Sequence, residues 1–438
     1  MPKGKRKGKF DKIRGESSML SSDEDSVNDN ASVISVQSET RSVLEDENAE
    51  DDLSQQEIFE EKLIEAIDGL IQKSAQSRTA CFEAVCTAFI KKFIPEFVHD
   101  RRLTLCDYIE RGLRKGKGAE QLSAAKLAAL LCVQLGSTTS AEEVCNILRP
   151  ILSVTANDKS VSLLVRAKCC IALGLVMFLS GGEIGELILV MREFEALFNG
   201  SYLRGDGTTP SPNPDLGVLH AAALSSWSLL LTLLNPSDVY SFMGEYDTSS
   251  FAPSLEQLSE MLLSPHLEVR MSAGEALAIS YELGREFNED FAEDFSSELV
   301  ETLRQLATDS HKYRAKKDRK TQRATFRDVL RTIEEFEPYM DNIRLGGREL
   351  LLLDGWVRRK QYDALCSALG PGLQVHLINN DLLREVFSMG AKPLTVDSTI
   401  TASKQSKLER HLMNAAAFKA RTISRGKNRD KRSVVMSS

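Results

Sequence analysis

The residues best suited to chemistry in this sequence are basic, and their spacing is helical. Lys316, Lys320, Arg323, Arg327 and Arg331 step by 4, 3, 4 and 4. At about 100° per residue, these five share one stripe of a helix. Phe326, Val329, Leu330 and Ile333 form an apolar face beside it. One side can then pack on a scaffold while the other offers ammonium and guanidinium groups to phosphates. No acidic partner is expected within the stripe. The competing reading is a solvated charged face.

A second basic element runs from Lys404 to Arg432. Lys407, Arg410, His411, Asn414, Phe418, Arg421 and Arg425 fall on one helical face, and Leu408, Leu412 and Ala415 on another. Ala415, Ala416, Ala417 and Ala420 keep such a helix slim and helix-prone. A slim basic helix with one aromatic suits a narrow RNA-lined space, where phosphates take the charges and Phe418 can stack on a base. A nuclear-localisation signal or an unstructured tail are the alternatives, and neither excludes RNA contact.

Enzymatic constellations are missing. The sequence contains no GxxxxGK[ST], HExxH or GxSxG pattern. Gly181-Gly182-Glu183-Ile184-Gly185 lacks phosphate-loop spacing and reads as a turn between helices. Glu334-Glu335 reads as a charged helical face. Cys81, Cys86, Cys106, Cys132, Cys145, Cys169, Cys170 and Cys366 sit mostly among Ala, Val and Leu, with no CxxC pair and no His at zinc-ligand spacing. They are expected to be small buried apolar residues. No cofactor, metal or small-molecule substrate is expected.

These elements need a scaffold, and the chain is long enough to build one. Its 438 residues call for at least two structural units. Residues 1–52 are basic and then acidic and Ser-rich, with too little apolar content to offset the entropy of ordering. Within them, Ser21 and Ser22 precede Asp23-Glu24-Asp25, a pattern suited to an acidophilic kinase; an unmodified solubilising tail is the alternative. The net charge of −8 conceals segregation, since residues 391–438 hold eleven Lys/Arg against three Asp/Glu, 11 − 3 = +8. No apolar run reaches the roughly 18 residues of a membrane span, and the basic start has no apolar stretch after it. The expected location is cytoplasmic, nuclear or both, without a membrane.

Helical periodicity begins at Leu53 and continues to about residue 341. Breaks are expected at Pro95, Gly116–Gly118, Gly136–Ser140, Asn157–Ser160 and Gly181–Gly182. Longer loops are expected over Ser201–Asp215 and Asn235–Pro253. A faint repeat runs through the region: the stretch from Val165 resembles the one from Val269, with weaker cousins near Arg78, Lys126 and His220. The markers 78, 126, 166, 220 and 270 are spaced by 48, 40, 54 and 50, close to the roughly 40–47 residues of HEAT and armadillo units. In such a stack small residues on the inner helix let neighbours approach closely, a polar residue can meet the preceding turn, and Leu and Ile fill the gap between repeats. An unrelated helical bundle is the alternative. The fold class read from the chain is thus all-α: an armadillo/HEAT-like solenoid over 53–341, a small C-terminal module over 342–390, and a basic tail over 391–438 with a helix at about 404–425. Ile343 to Asp354 is compatible with a short hairpin around Gly346-Gly347 or with a helix start. Trp356–Leu369 and Asn380–Met389 read as helices, Gly370-Pro371-Gly372 as a turn, and Lys392–Ile400 as a linker.

The chain resembles the interferon-related developmental regulator proteins from about residue 53 to the end. Arg101-Arg102-Leu103-Thr104-Leu105-Cys106-Asp107-Tyr108-Ile109-Glu110-Arg111 carries the resemblance. So do Ala307-Thr308-Asp309 through Phe326-Arg327-Asp328-Val329-Leu330-Arg331, and Glu409-Arg410-His411-Leu412-Met413-Asn414-Ala415-Ala416-Ala417-Phe418-Lys419-Ala420-Arg421, continuing to Arg429-Asp430-Lys431-Arg432. The resemblance implies an armadillo-like fold without enzymatic activity. It implies a protein that binds translationally inactive ribosomes, with its C-terminal helix in the RNA-lined intersubunit region. It also implies, as the alternative, a nuclear transcriptional co-regulator acting in differentiation through protein partners such as co-repressors. The ribosome role carries over to Arg410, His411, Asn414, Phe418, Lys419 and Arg421.

Overall fold

The computed structural model describes residues 48–390, apart from 182, 211–212, 244–251, 309–314 and 347–348, with side chains from residue 56 onward except at 138. The chain divides into two compact units, Met1–Gln56 and Glu57–Ser438. Of the first, only 48–56 is described, and it is helical. Ser21 and Ser22, and all site residues expected beyond 390, lie outside the described residues.

Helix α1 (Asn48–Asp68) runs from the first unit into the second, and helices then follow one another through the second: α2 (Ala75–Lys91), α3 (Pro95–Lys115), α4 (Ala119–Leu135), α5 (Thr138–Asn157) and α6 (Leu163–Ser180). Then come α7 (Ile184–Phe198), α8 (Pro214–Leu231), α9 (Pro236–Met243), α10 (Leu255–Glu260), α11 (Leu267–Phe287), α12 (Glu293–Thr308) and α13 (Lys316–Glu334). The chemistry of the breaks is local. Pro95 opens α3, where its missing N–H costs nothing. Gly136 and Gly181 follow α4 and α6 in the left-handed conformation.

Packing makes these helices a two-layered solenoid. The inner layer is α2, α4, α6, α8, α11 and α13, each against the next; α3, α5, α7, α9 and α12 pack outside against α4, α6, α8, α11 and α13 respectively. All five repeat markers lie on inner helices, and the expected polar contact with the preceding turn is present at four of them. Arg78 Nη1 donates to the Gln72 and Lys73 carbonyls at 2.8 and 2.9 Å. Arg166 Nε donates to Ala156 O at 2.7 Å, and Arg270 Nη1 to Ser264 O at 2.6 Å. At the fourth, His220 Nδ1 lies 2.6 Å from Ser201 Oγ. The three arginines satisfy carbonyls in the preceding turns, and all four side chains tie one repeat to the next.

Two expectations need correction. The stretch Asn235–Pro253, expected as loop, contains α9: Pro236 sits at the first helical position, and burial of Val239 and Met243 supplies what the local sequence does not advertise. By length and composition α6 could cross a membrane, with mean hydropathy 2.0, but 78% of it is buried inside the fold. A helix apolar on all sides is a core helix when neighbours cover all sides.

After α13 the chain forms the hairpin β1 (Met340–Leu345) and β2 (Glu349–Asp354), antiparallel with Leu345 opposite Glu349 and Met340 opposite Asp354. The open choice at Ile343–Asp354 is thus resolved as a hairpin. It continues into α14 (Gly355–Leu369), a 3₁₀ turn (Gly370–Gly372), α15 (Leu373–Asn379) and α16 (Asp381–Val386). This segment runs back over the inner layer. Helix α14 packs on α11, α8 and α4, and the 3₁₀ turn on α2. Two glycines permit the approach. Gly355 has φ +86, and a Cβ there would sit 2.4 Å from Glu282 Oε1; a Cβ on Gly372 would sit 1.9 Å from the Ile90 carbonyl oxygen. Helix α15 escaped the sequence reading because seven residues show too little periodicity.

Candidate polyanion-binding surface

Helix α13 carries the basic stripe, and its apolar face explains its orientation. Phe326, Val329 and Ile333 are buried and Leu330 is half-buried, against α11 and α12. Phe326 occupies the space that a side chain at Gly274 of α11 would need. Gln322, 1% exposed, accepts from Arg270 Nη2 at 2.8 Å, which locks α13 to α11. On the other side Lys316, Lys320, Arg327 and Arg331 are exposed and Arg323 is half-buried. The structure therefore brings all five together on one face.

The stripe is not free of acid, as its spacing had suggested. Asp328 Oδ1 lies 3.8 Å from Arg331 Nη1, an i,i+3 pair that helical geometry brings within reach. Its other oxygen lies 3.4 Å from Arg359 of α14, so the carboxylate is shared. Among the described residues, Lys316, Lys320, Arg323 and Arg327 form no ion pair.

The far end of α13 is anchored by residues that no motif marked. Arg285 of α11 donates from Nη1 and Nη2 to the carbonyls of Thr332 and Ile333, both at 2.9 Å, and its guanidinium stacks 3.9 Å from the Phe336 ring. A cation on the last carbonyls of a helix satisfies them and complements the dipole. Burial lowers the Arg285 pKa from its ordinary value. Thr332 Oγ1 accepts from Trp356 Nε1 at 2.8 Å, and Arg359 lies over the rings of Tyr339 and Trp356. Glu282 accepts from the backbone N–H groups of Trp356 and Val357, so one carboxylate holds the N-terminus of α14. Burial raises that carboxyl to about 6. Deeper in, Lys360 Nζ meets Glu275 Oε2 at 2.7 Å and Ser225 Oγ at 2.8 Å. The stripe is thus mounted on a rigid frame in which α11, α13 and α14 share polar contacts. One sequence signal pointed to that frame: α4 and α6 are apolar around most of their circumference, which requires cover on more than one side.

Among the described residues, no group of three His, Cys, Asp or Glu side chains could hold a metal. Gly181 ends α6 and Ile184 opens α7, so the glycine-rich stretch is a helix–helix turn. All eight cysteines are free, six of them buried. Burial pushes the Cys86, Cys106 and Cys169 thiols up to about 12, where they behave as apolar side chains.

Comparison with known proteins agrees with the resemblance carried by the motifs. The family model described as interferon-related developmental regulator matches residues 30–334, and the one described as interferon-related protein conserved region matches 380–433. The second match spans α16 and the basic tail. The human interferon-related developmental regulator 1 is 39% identical over 415 residues, 94% of this chain and 90% of that protein. The mouse interferon-related developmental regulator 2 is 38% identical over 388 residues, 89% and 86% of the two chains. An uncharacterised protein of Schizosaccharomyces pombe is 26% identical over 398 residues, 83% of this chain and 82% of its own. The named relatives are regulators rather than enzymes, and with similarity running through both the solenoid and the tail, the chain belongs to the interferon-related developmental regulator family.

Proposed function

We propose that this protein is a non-enzymatic ribosome-binding factor that associates with translationally inactive ribosomes and restrains translation. Its contacts would be the exposed stripe of α13 and the basic tail, through Lys407, Arg410, His411, Asn414, Phe418, Lys419, Arg421 and Arg425. The observation that carries the reading is the stripe: five cations on one face of a helix whose other face is locked into a solenoid. A rigid row of cations loses little entropy on meeting a row of phosphates. The alternative role, a nuclear co-regulator seating co-repressor proteins in the solenoid groove, finds less support, because α14 already covers the inner faces of α4, α8 and α11. A protein of either role would work in the cytoplasm, the nucleus or both.

Sucrose-gradient sedimentation tests the proposal. Wild type should co-sediment with ribosomes at moderate salt, and the Arg410→Ala/Phe418→Ala/Arg421→Ala variant should shift to the top fractions. Equal co-sedimentation of the two would show that the tail does not hold the protein on the ribosome.

A further inference from the structure

The β1–β2 hairpin presents an apolar outer face. Leu350 is 57% exposed, Leu352 46% and Met340 54%. Strand alternation puts Leu351 and Leu353 on the buried side and leaves these three on the other, interleaved with Asn342, Arg344 and Asp354. A two-stranded sheet is marginal on its own, and an apolar outer face needs cover.

The chain leaves the described residues at the edge of the hairpin, where β2 begins and Glu349 pairs with Leu345 on the buried side. Arg384, 2% exposed, donates from Nε to the Gly390 carbonyl at 3.0 Å. The same guanidinium donates from Nη2 to Glu349 Oε1 at 2.6 Å. Gly390 and the first residue of β2 are therefore held by one side chain. The ten residues that follow are Ala-Lys-Pro-Leu-Thr-Val-Asp-Ser-Thr-Ile. From Leu394 they alternate in period two, with Leu394, Val396, Ser398 and Ile400 on one side and Thr395, Asp397 and Thr399 on the other. β-branched residues dominate, and the one proline precedes the alternation, where a strand tolerates it. The reach fits as well. Four extended residues from Gly390 to Leu394 span about 13 Å, and Glu349 to Leu352 covers about 10 Å.

We propose that residues 391–400 lie across the outer face of the hairpin, with Leu394, Val396 and Ile400 covering Leu350, Leu352 and Met340. A segment tethered at the edge of its site has an effective concentration in the mM range, which favours it over a second copy of the chain. The strap fixes the point from which the basic tail departs. It holds whether or not the tail meets a ribosome, because it rests on the hairpin and the chain path alone.

The test uses the full chain with a photo-crosslinking benzoylphenylalanine in place of Leu352. Irradiation should yield an intramolecular crosslink mapping to 391–400, independent of protein concentration. It should disappear in Leu394→Asp/Val396→Asp/Ile400→Asp. Hydrogen exchange of the 394–400 amides should be at least tenfold slower than in that triple variant. All of these substitutions are on the hairpin surface or in the tail, so circular dichroism should show an unchanged solenoid. Crosslinks to another copy, or to any segment other than 391–400, overturn the proposal. So does identical exchange in wild type and triple variant.

Discussion

Gly372→Ala is expected to dislodge the returning C-terminal segment from α2. A Cβ at this position would lie 1.9 Å from the Ile90 carbonyl oxygen and 2.8 Å from its carbon. Both atoms are backbone, so no rotamer change relieves the overlap and the 3₁₀ turn must move away. That motion stretches the bond from His376 Nε2 to Phe89 O, now 2.9 Å, and opens the burial of Leu373 and Leu377. Overpacking of this kind costs about 1–3 kcal/mol, and a buried carbonyl deprived of its donor costs about as much again. The sum is about 3 kcal/mol, or roughly 5 °C in Tm for a unit of this size. Two other glycines calibrate the measurement. Gly370 has φ +48 and ψ −123, backbone that glycine alone adopts easily, with nothing near its Cβ position, so Gly370→Ala should cost only backbone strain of about 1–3 kcal/mol. Gly185, helical and open, should tolerate Ala or gain about 0.5–1 kcal/mol. Thermal melts should rank the variants Gly185→Ala, Gly370→Ala, Gly372→Ala in falling stability, with hydrogen exchange accelerated over 373–387 in the last. If Gly372→Ala melts with Gly370→Ala and exchanges like wild type over 373–387, the close approach to α2 does not hold that segment in place.

Arg270→Ala should destabilise the chain by about 2–4 kcal/mol in urea titrations, more than Arg166→Ala, because it removes bonds to both Ser264 and Gln322 from a buried site. The buried Glu282 carboxyl titrates at about 6 rather than 4.5, so folding takes up a proton between those values and stability falls as pH rises through that window. Glu282→Gln should flatten the stability profile there by about 1–2 kcal/mol relative to wild type; parallel profiles would remove the carboxyl from the account. Replacing Lys316, Lys320, Arg323, Arg327 and Arg331 with Gln should weaken RNA binding. Its log–log salt dependence should flatten by roughly 0.7–0.9 for every phosphate that the stripe neutralises in the wild type. Unchanged slopes would leave α13 a solvated face. A disulfide-exchange reagent should modify only Cys81 and Cys366 in the native protein, slowly, and the other six thiols on denaturation.

The stripe of α13 was legible in full because helical spacing and side-chain type decide it locally. Its Asp328 was equally local: it stands three residues before Arg331, and its sharing with Arg359 is what needed the fold. The repeat markers were legible for a related reason. Four of the five marked helices return a polar group to the turn before them, and Arg78, Arg166, His220 and Arg270 supply it. Helix α9 and helix α15 were not legible, because eight and seven residues carry too little periodicity and their stability comes from what they pack against.

The sequence by itself determined the longer helices, most of their breaks, the order of the stack and the concentration of positive charge on α13 and the tail. Those properties depend on residues a few positions apart. Only the tertiary structure decided that the chain after the hairpin folds back over α11, α8, α4 and α2, and that Arg285, Glu282 and Trp356 hold the frame of α13. These contacts join residues far apart in the chain: His376 with Phe89, Asn380 with Val133, Lys360 with Ser225. An apolar circumference on α4 and α6 announces that something must cover it. The identity of the cover depends on shape, reach and two glycines that let one backbone approach another, and none of these is written in local spacing.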